Sequence, residues 1–443
     1  MTRIEFGSSG IRGPYGDAVT PELALRLGRA LGSRYRCILV GHDARTSSPL
    51  LVQAATAGML ASGAEVSYGG LAPTPAVAFS GRAFDASLVV TASHNPAPDN
   101  GFKPWNPNGK AFDKHQRKEI EDFLNAPTTP SGAPWSGLHA PKVAPSVVAA
   151  HTEAILRHVG PLKRRLRVVL DCGNGAACPE SPGLLRALGC DVITLNAQPD
   201  GAFPGRPSEP SPENLRELSH LVRATGADLG LAHDGDADRC VAVTESGEAV
   251  PGDALCALFA RAHGKRRIVV PVDMSMLVDD SVPHLEVVKT RVGDAYVSEA
   301  IVDRDADWGG EASGAWIFPK MSLCPDGPLA AAAVCALVAE HGPLSKQVAS
   351  LPKYPIARES RPVPNALKAP VLKLAAGKLE KHGKVNALDG VRVDFENGWV
   401  LIRASGTEPK VRVTAEARSA EEMRRLLELG TSTLAACVKE AGA

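Results

Sequence analysis

Thr91-Ala92-Ser93-His94-Asn95-Pro96 is the stretch around which this sequence is organised, and Asn100-Gly101-Phe102-Lys103 follows it closely. The stretch comes directly after Leu88-Val89-Val90, a short apolar run that predicts a buried strand. Its clustered Ser, His, Asn and Pro predict a polar turn at the end of that strand, where α/β proteins place reactive groups. Taken alone, a turn of this kind is more often an ordinary surface turn. Three distant stretches make Ser93 a candidate reactive residue.

The composition describes a soluble globular protein with no strong overall charge. The 443 residues are enough for two to four domains, with 44% hydrophobic and 22% charged residues. Lys and Arg together number 49, as do Asp and Glu, and only 5% of the residues are aromatic. We therefore expect neither a nucleic acid nor a membrane as a partner. The sequence predicts no oligomeric state.

Cysteine usage and apolar runs indicate a cytoplasmic protein. The nine cysteines are scattered without a CxxC pair, which favours buried thiols in a reducing compartment over a zinc site. The first residues lack the apolar core of a signal peptide. The longest apolar run, from Pro328 to Ala339, is too short to span a bilayer.

Strand and helix patterns alternate along most of the chain. This rhythm predicts three similar, doubly wound α/β domains over residues 1–145, 146–247 and 248–352. A proline-rich stretch over residues 126–146 predicts a linker after the first domain. Alternating strand patterns followed by a long helix predict a smaller C-terminal α+β domain over residues 353–443.

A glycine-containing turn in the second domain matches only part of a dinucleotide-binding motif. Residues 172–177, Cys-Gly-Asn-Gly-Ala-Ala, follow a predicted strand and are expected to start a helix. Cys178 stands where a dinucleotide-binding fingerprint needs its third Gly, so the pattern does not favour NAD.

Asp234, Asp236 and Asp238 place three carboxylates within five residues, after a predicted buried strand. Such charges repel one another unless a cation offsets them, and hard oxygen ligands favour Mg²⁺ or Ca²⁺. An EF-hand is excluded because Arg239 occupies the position that needs Gly, and because a strand pattern follows at Cys240. A phosphate group is a suitable further ligand for such a cation, and phosphorylated Ser93 is a candidate to supply it.

Two further turns suit a phosphate dianion. Phe6 to Gly13 is rich in Gly and Ser and contains Arg12, although it is not a P-loop. Residues 403–407 supply a guanidinium, two hydroxyls and a Gly backbone from Arg403, Ser405, Gly406 and Thr407.

Five stretches together resemble the α-D-phosphohexomutases, the superfamily of phosphoglucomutase, phosphomannomutase and phosphoglucosamine mutase. They occur in the expected order along the whole chain: Phe6 to Gly13, Thr91 to Lys103, Asp234 to Arg239, Gly310 to Gly314 and Arg403 to Pro409. The resemblance implies four domains around a central cleft, a hexose phosphate substrate and a hexose 1,6-bisphosphate as intermediate and activator.

The resemblance also implies roles for the reacting groups. Ser93 is the expected phosphoserine, and Mg²⁺ is expected between its phosphate and Asp234, Asp236 and Asp238. Arg12 and Lys103 are expected to flank the transferred group, with Lys103 a general acid or base if burial lowers its pKa. His94 is a further catalytic candidate beside Ser93.

The remaining expected contacts hold the substrate. Glu311 and Ser313 are expected to bind sugar hydroxyls, and Arg239 and Asp294 are further substrate-binding candidates. Arg403, Ser405, Gly406 and Thr407 are expected to hold the phosphate that is not reacting, which positions either end of the sugar in line with Ser93.

Departures from the family pattern bear on the substrate. Phosphomannomutase/phosphoglucomutase members often carry His where this chain has Asp294, so Val292-Gly293-Asp294 is more similar to phosphoglucosamine mutase. A carboxylate there is able to pair with a substrate ammonium or to carry a proton. Ala312 is diagnostic of neither group. Pro325 replaces an Arg of the family's Arg-Asp-Gly segment, so a contact made by that Arg has no counterpart here.

The preferred interpretation is an enzyme that interconverts glucosamine 6-phosphate and glucosamine 1-phosphate. Phosphomannomutase/phosphoglucomutase activity is the alternative within the family. A non-catalytic sugar-phosphate binding protein and a hydrolase that uses Ser93 are the alternatives from other classes. The intact Ser and Asp stretches argue against the first, and the second phosphate-binding turn argues against the second.

Overall fold

The computed structural model describes residues 4, 6–7, 10–127, 132–405 and 409–442. The chain folds as two compact units: the first contains Met1–Leu255 and Trp308–Val348, and the second contains Cys256–Asp307 and Ala349–Ala443. Within the described residues, no helix combines the length and the apolar character needed to cross a bilayer.

The first unit opens with an α/β domain. Its elements are β1 (Ile11–Pro14), α1 (Pro21–Gly32), β2 (Cys37–His42), α2 (Ser48–Ala61), β3 (Glu65–Leu71), α3 (Thr74–Ser80), β4 (Ala86–Val90), β5 (Asp99–Trp105), α4 (Lys114–Asn125) and β6 (Lys142–Val143). The sheet order is β1-β5-β4-β2-β3-β6. β4, β2, β3 and β6 are parallel, and β4 is buried along its whole length, as expected for a strand covered on both faces.

Two features of this sheet differ from the sequence expectation. β5 pairs antiparallel with β4, and β1 pairs antiparallel with β5, so the sheet is mixed. The connection from Val90 to Asp99 is too short for a crossover helix, which leaves the antiparallel return as the available pairing. The predicted linker over residues 126–146 also contributes to the sheet, because β6 extends its edge beside β3.

Local sequence signals explain how the helices begin and pack. The Thr20 hydroxyl accepts from the Leu23 N–H and caps α1, and Pro21 occupies the first turn. α1 and α2 cross closely at Gly28, where an added Cβ would lie 2.0 Å from the carbonyl oxygen of Ala55. Only glycine allows this approach of the two helix backbones.

A second sheet follows in the same unit. Its elements are α5 (Val147–Val159), β7 (Arg167–Asp171), α6 (Ser181–Ala187), β8 (Asp191–Leu195), α7 (Arg216–Thr225), β9 (Leu229–His233) and β10 (Cys240–Thr244). The order is β10-β9-β7-β8, with β10 antiparallel and the rest parallel. The helix expected directly after residues 172–177 begins only at Ser181, because those residues form successive turns.

The third α/β segment contributes elements to both units. They are α8 (Gly252–His263), β11 (Arg267–Pro271), α9 (Met276–Ser281), β12 (Glu286–Thr290), α10 (Asp294–Arg304), β13 (Trp308–Gly310), β14 (Trp316–Ile317), α11 (Gly327–His341) and α12 (Leu344–Ala349). β11 and β12 pair in parallel in the second unit. β13 and β14 form a short antiparallel pair in the first unit.

The C-terminal part of the second unit is α+β, as predicted. Its elements are β15 (Ile356–Pro362), α13 (Asn365–Leu379), β16 (Val385–Asn386), β17 (Val391–Phe395), β18 (Gly398–Ala404), β19 (Lys410–Ala417) and α14 (Ala420–Glu440). The strands form an antiparallel sheet in the order β15-β19-β18-β17-β16. Its core joins both helices to the sheet through residues such as Val371, Val400, Val413 and Leu434. α13 accommodates Pro370 inside the helix.

Candidate active site

The turn after β4 holds Ser93 in an unusual backbone conformation. Ser93 has φ of +52°, in the left-handed region, and is 1% exposed. Its N–H donates to the Thr91 hydroxyl at 2.9 Å, and its Oγ donates to Oδ2 of Asp234 at 2.7 Å. The turn therefore directs the Ser93 hydroxyl at the carboxylate cluster that follows β9.

The three carboxylates converge in the structure. One oxygen from each of Asp234, Asp236 and Asp238 lies within 4.8 Å of the others, and all three residues are buried. Oδ1 of Asp236 is buried without a hydrogen-bond partner among the described residues. Burial, together with the charges of Asp238 and Asp236, raises the pKa of Asp234 well above its ordinary value. Crowded carboxylates with an unpaired buried oxygen fit a hard divalent cation such as Mg²⁺.

Lys103 is buried beside this cluster on β5. Its Nζ donates to Oδ2 of Asp236 at 2.6 Å and to Oδ2 of Asp238 at 2.7 Å. Burial alone would lower the pKa of Lys103, but the charges of Asp236 and Asp238 outweigh burial and raise it. The condition for Lys103 to act as a neutral base, a pKa lowered by burial, is therefore not met in this arrangement.

His94 is held by a chain of polar contacts from Arg239, which follows the three aspartates, and from Glu209. Its Nδ1 lies 2.9 Å from the Arg239 NH2 group and 3.3 Å from Ser93 Oγ. Both carboxylate oxygens of Glu209 accept from Arg239 NH1 at 2.9 Å. Burial, reinforced by the charges of Arg239, Arg12 and Lys103, lowers the pKa of His94 to about 3. His94 is thus neutral, and its Nδ1 accepts from Arg239.

Arg12 and the 311–314 turn complete the group of candidates in the first unit. Arg12 lies on β1 opposite Gly101, and its charge acts on His94, Lys103 and Asp236. Glu311 follows β13, is 9% exposed, and is among the carboxylates that raise the pKa of Arg239. Ser313 is exposed in the same turn.

The other candidates belong to the second unit. Asp294 is the first residue of α10, and Arg403 lies near the end of β18. Arg403 Nε donates to Oδ2 of Asp389 at 2.9 Å, and the Lys368 ammonium donates to the carbonyl of Ser405 at 2.7 Å. Gly406 and Thr407 lie outside the described residues.

Family sequence models match nearly the whole chain. Those for phosphoglucomutase/phosphomannomutase α/β/α domains I, II and III match residues 3–130, 149–247 and 251–354, and the one for the C-terminal domain matches residues 363–429. The chain belongs to the phosphoglucomutase/phosphomannomutase family.

Individual members of the family show the same relationship. A probable phosphoglucosamine mutase of Methanocella arvoryzae is 48% identical over 434 residues, which cover 98% of both chains. Another, of Methanosarcina barkeri, is 49% identical over 416 residues, which cover 93% of this chain and 95% of the relative. The crystal structure of a phosphoglucomutase/phosphomannomutase family protein from Burkholderia thailandensis superposes with a TM-score of 0.86 at 28% identity, covering 98% of both chains.

Membership of this family confirms the predicted superfamily and fold class. Within the first unit, the structure brings one large group of the predicted residues together: Ser93, His94, Arg12, Lys103, Asp234, Asp236, Asp238, Arg239 and Glu311. Asp294, Arg403 and Ser405 lie in the second unit. The individual roles of all these residues remain predictions.

The sequence interpretation missed residues that shape the site of this family member. Arg45 is fully buried, and four backbone carbonyls of the Ser93 loop accept from its guanidinium. Thr74, at the start of α3, donates to Oδ2 of Asp236 at 2.6 Å. Glu209 holds Arg239. The only sequence signal for Arg45 was its position after strand β2, and residues of ordinary polar surface loops occupy the same kind of position.

The segment around Pro325 has a structural explanation in this chain. Asp326 caps α11 by accepting from the Leu329 N–H at 2.9 Å, and its other oxygen lies 2.9 Å from His151 Nε2. The Asp and Gly of the family's Arg-Asp-Gly segment thus serve as a helix start, independently of the missing Arg.

Proposed function

We propose that this protein is a Mg²⁺-dependent phosphohexomutase that interconverts glucosamine 6-phosphate and glucosamine 1-phosphate. A hexose 1,6-bisphosphate would be the intermediate, and Ser93 would carry the phosphoryl group. The observation that carries the proposal is the buried hydrogen bond from Ser93 Oγ to Asp234, within a cluster of three carboxylates.

The residues around Ser93 suit a reversible phosphoryl carrier. Phosphorylation of Oγ would add oxygens beside Asp234, Asp236 and Asp238, which would hold Mg²⁺ with the phosphate as a further ligand. When bound, Mg²⁺ offsets the charge that develops on the transferred group. Lys103 and Arg12 supply fixed positive charges on β5 and β1 for the same purpose.

Transfer in this scheme breaks the bond between Ser93 Oγ and phosphorus and forms one from the oxygen of a free sugar hydroxyl to phosphorus. The sugar hydroxyl gives up its proton, and Ser93 Oγ gains one, so the exchange balances. The sugar then carries two phosphates, and its other phosphate returns to Ser93 after the sugar has turned. Arg403, Ser405, Gly406 and Thr407 would hold whichever phosphate is not reacting. Glu311 and Ser313 would bind sugar hydroxyls, with Arg239 close to the reacting phosphate.

The contacts of His94 argue against a hydrolase. A hydrolytic Ser–His pair needs an imidazole nitrogen that is free to take the serine proton. Here the Ser93 hydroxyl donates to Asp234, and His94 Nδ1 accepts from Arg239. We infer that His94 helps to position the Ser93 loop and does not activate Ser93 for hydrolysis.

The choice of an amino sugar is supported by the relatives and by Asp294. The similar proteins from Methanocella arvoryzae and Methanosarcina barkeri are named probable phosphoglucosamine mutases. Asp294, half-buried at the start of α10, offers a carboxylate that is able to pair with an ammonium group. Competition between the 6-phosphates of glucosamine, glucose and mannose tests this choice. A higher kcat/KM for glucose or mannose would assign the enzyme to phosphomannomutase/phosphoglucomutase activity.

Replacement of Ser93 tests the carrier role. We expect Ser93→Ala to lose nearly all mutase activity, because no other hydroxyl in the described cluster donates to Asp234, while the protein stays folded. Intact-mass spectrometry should show one added phosphate on part of the wild-type protein and none on the variant. Ser87→Ala, a buried serine on β4 away from the turn, is the matched control. Full activity of Ser93→Ala would refute the phosphoserine mechanism, and an unphosphorylated, inactive wild type would favour a binding protein.

A further inference from the structure

Asp389 contacts two segments of the second unit, one at Val292 and one at Arg403, to which the proposed function gives separate roles. It lies in the turn between β16 and β17. Its Oδ2 accepts from the backbone N–H of Val292 at 3.0 Å and from Arg403 Nε at 2.9 Å. One carboxylate oxygen therefore contacts both the loop before α10 and the residue expected to hold a phosphate.

The position of this carboxylate is fixed by the backbone on either side of it. Gly390 has φ of +86°, and an added Cβ would lie 2.5 Å from the carbonyl oxygen of Ile402. The turn thus packs directly against β18, close to Arg403. On the other side of the turn, the Leu388 N–H donates to the Asn386 side chain at 3.0 Å. These contacts leave the Asp389 carboxylate little freedom to move away from Arg403.

The Arg403 contact is partly shielded from water. The Asp389 and Arg403 side chains are 18% and 26% exposed. A charge-assisted hydrogen bond in such surroundings holds the plane of a guanidinium more firmly than an exposed ion pair does. Nε makes this bond, so Asp389 sets the direction in which the terminal amino groups of Arg403 point.

The Val292 contact sets the backbone just before Asp294. Gly293 has φ of +131° and precedes the first residue of α10, which is Asp294. Holding the Val292 N–H therefore fixes the start of the sharp turn that presents Asp294.

We propose that Asp389 is a positioning residue that couples recognition of the sugar to recognition of its distal phosphate. This inference rests on the proposed function, in which Asp294 selects the sugar and Arg403 holds a phosphate. Because one oxygen serves both loops, a change at Asp389 should alter substrate affinity and sugar preference together. A residue with a merely structural role would lower stability or total activity without changing the preference between sugars.

Two variants separate the two contacts. Asp389→Asn keeps an acceptor for the Val292 N–H but loses the charge beside Arg403, so KM for glucosamine 6-phosphate should rise about tenfold. Asp389→Ala loses both contacts, and the ratio of kcat/KM for glucosamine 6-phosphate over glucose 6-phosphate should also fall by about tenfold. Asp394→Ala is the matched control, because that carboxylate pairs with Arg392 on the neighbouring β17. It should leave both quantities unchanged.

A double-mutant cycle keeps the test valid if Asp389→Ala does not fold. Arg403→Lys keeps a positive charge but lacks the guanidinium Nε, so combining it with Asp389→Asn should raise KM little beyond either single change. Additive effects in the cycle, or an unchanged KM in Asp389→Asn, would overturn the coupling. A wild-type enzyme without amino-sugar preference would refute the proposed substrate instead, and the KM cycle would still decide the role of Asp389.

Discussion

Arg45 shows how strongly a single side chain determines the conformation of the Ser93 loop. All five guanidinium N–H groups have acceptors: the Asp43 carboxylate and the carbonyls of Ser93, Asn95, Pro96 and Asp99. The Arg45 and Asp43 side chains are fully buried, and so is the hydrogen bond to the Ser93 carbonyl, which therefore depends on the guanidinium as its partner. The guanidinium thus adds four hydrogen bonds to the few that the loop makes within its own backbone, such as the one from the Asp99 N–H to the Pro96 carbonyl.

Shortening this contact should cost both stability and activity. Arg45→Lys keeps the charge but lacks the guanidinium fork that contacts the buried Asp43 carboxylate, the buried Ser93 carbonyl and three other loop carbonyls, so the free energy of unfolding should fall by about 3 kcal/mol or more. Mutase kcat should fall with it, because the Ser93 carbonyl loses its partner. Urea unfolding and initial rates measure the two effects. Arg36→Lys is the control, since the Arg36 side chain is 83% exposed and should change stability by less than about 0.5 kcal/mol.

At the residue scale, the sequence predicted the groups that stand in contiguous motifs. Ser93 and the three aspartates could be named because each follows a recognisable buried strand. Arg45, Thr74 and Glu209 could not, since they act on those motifs from 48, 162 and 30 residues away. The direction of the Lys103 pKa shift could not be predicted from the sequence either, because burial and two carboxylates act on that pKa in opposite directions.

At the scale of elements, apolar runs in the sequence predicted the positions of most strands. Whether two strands pair parallel or antiparallel depended on the length of the loop between them. β4 was evident from Leu88-Val89-Val90, but the antiparallel return of β5 follows from the short connection that carries Ser93. The edge strand β6 was hidden in a proline-rich stretch, since it is only two residues long and exposed. Its pairing with β3 is a tertiary contact that no local pattern indicates.

A buried ionic group joins α5 to the starts of α6 and α11. His151 on α5 contacts Glu180 Oε1 at 2.8 Å and Asp326 Oδ2 at 2.9 Å, and all three side chains are buried. Burial alone would lower the pKa of His151, but the two carboxylates outweigh it and raise the pKa to about 10. The imidazole is therefore charged at neutral pH, which gives each carboxylate a cationic partner.

This group predicts a specific dependence of stability on pH. The pKa of His151 is higher in the folded state than the ordinary unfolded value of about 6.5. The stabilisation it provides is therefore complete below about pH 6.5, declines as the pH rises, and is lost above about pH 10. Melting temperatures measured from pH 6 to pH 10 should fall more steeply for the wild type than for His151→Gln.

The glutamine variant should also be less stable at pH 7, by about 3–5 kcal/mol, because it leaves two buried carboxylates without a cation. His115→Gln, at an exposed histidine on α4, serves as the control and should retain the wild-type pH profile. Parallel pH profiles for the wild type and His151→Gln would show that the imidazole is not charged in the folded protein.

At the scale of the whole molecule, the groups proposed for catalysis are divided between two compact units. The carboxylate cluster and Ser93 belong to the first, and Asp294 and Arg403 belong to the second. Composition could not predict this division, because the third α/β segment contributes residues to both units. The predicted domain boundaries at 145, 247 and 352 remain predictions.

Mg²⁺ should stabilise the first unit through Asp234, Asp236 and Asp238. At about one hundred times its Kd, the ion should add about 2.7 kcal/mol to the folded state. Hydrogen exchange with and without Mg²⁺ should show added protection in peptides covering residues 88–103 and 229–240. Asp236→Asn should lose this response, whereas Asp279→Asn, at a carboxylate paired with Lys289, should keep it. Equal protection with and without Mg²⁺ would rule out a metal site at the cluster.

The positive φ of Ser93 has a consequence for which amino acids would be able to serve as the proposed phosphate carrier. Threonine has the same hydroxyl, but its branched Cβ is strongly disfavoured at φ of +52°. Glycine would accept the backbone and has no oxygen to phosphorylate. Serine alone meets both demands, so we expect that threonine is unable to replace Ser93. In this respect the position differs from phosphorylation sites at which serine and threonine are interchangeable.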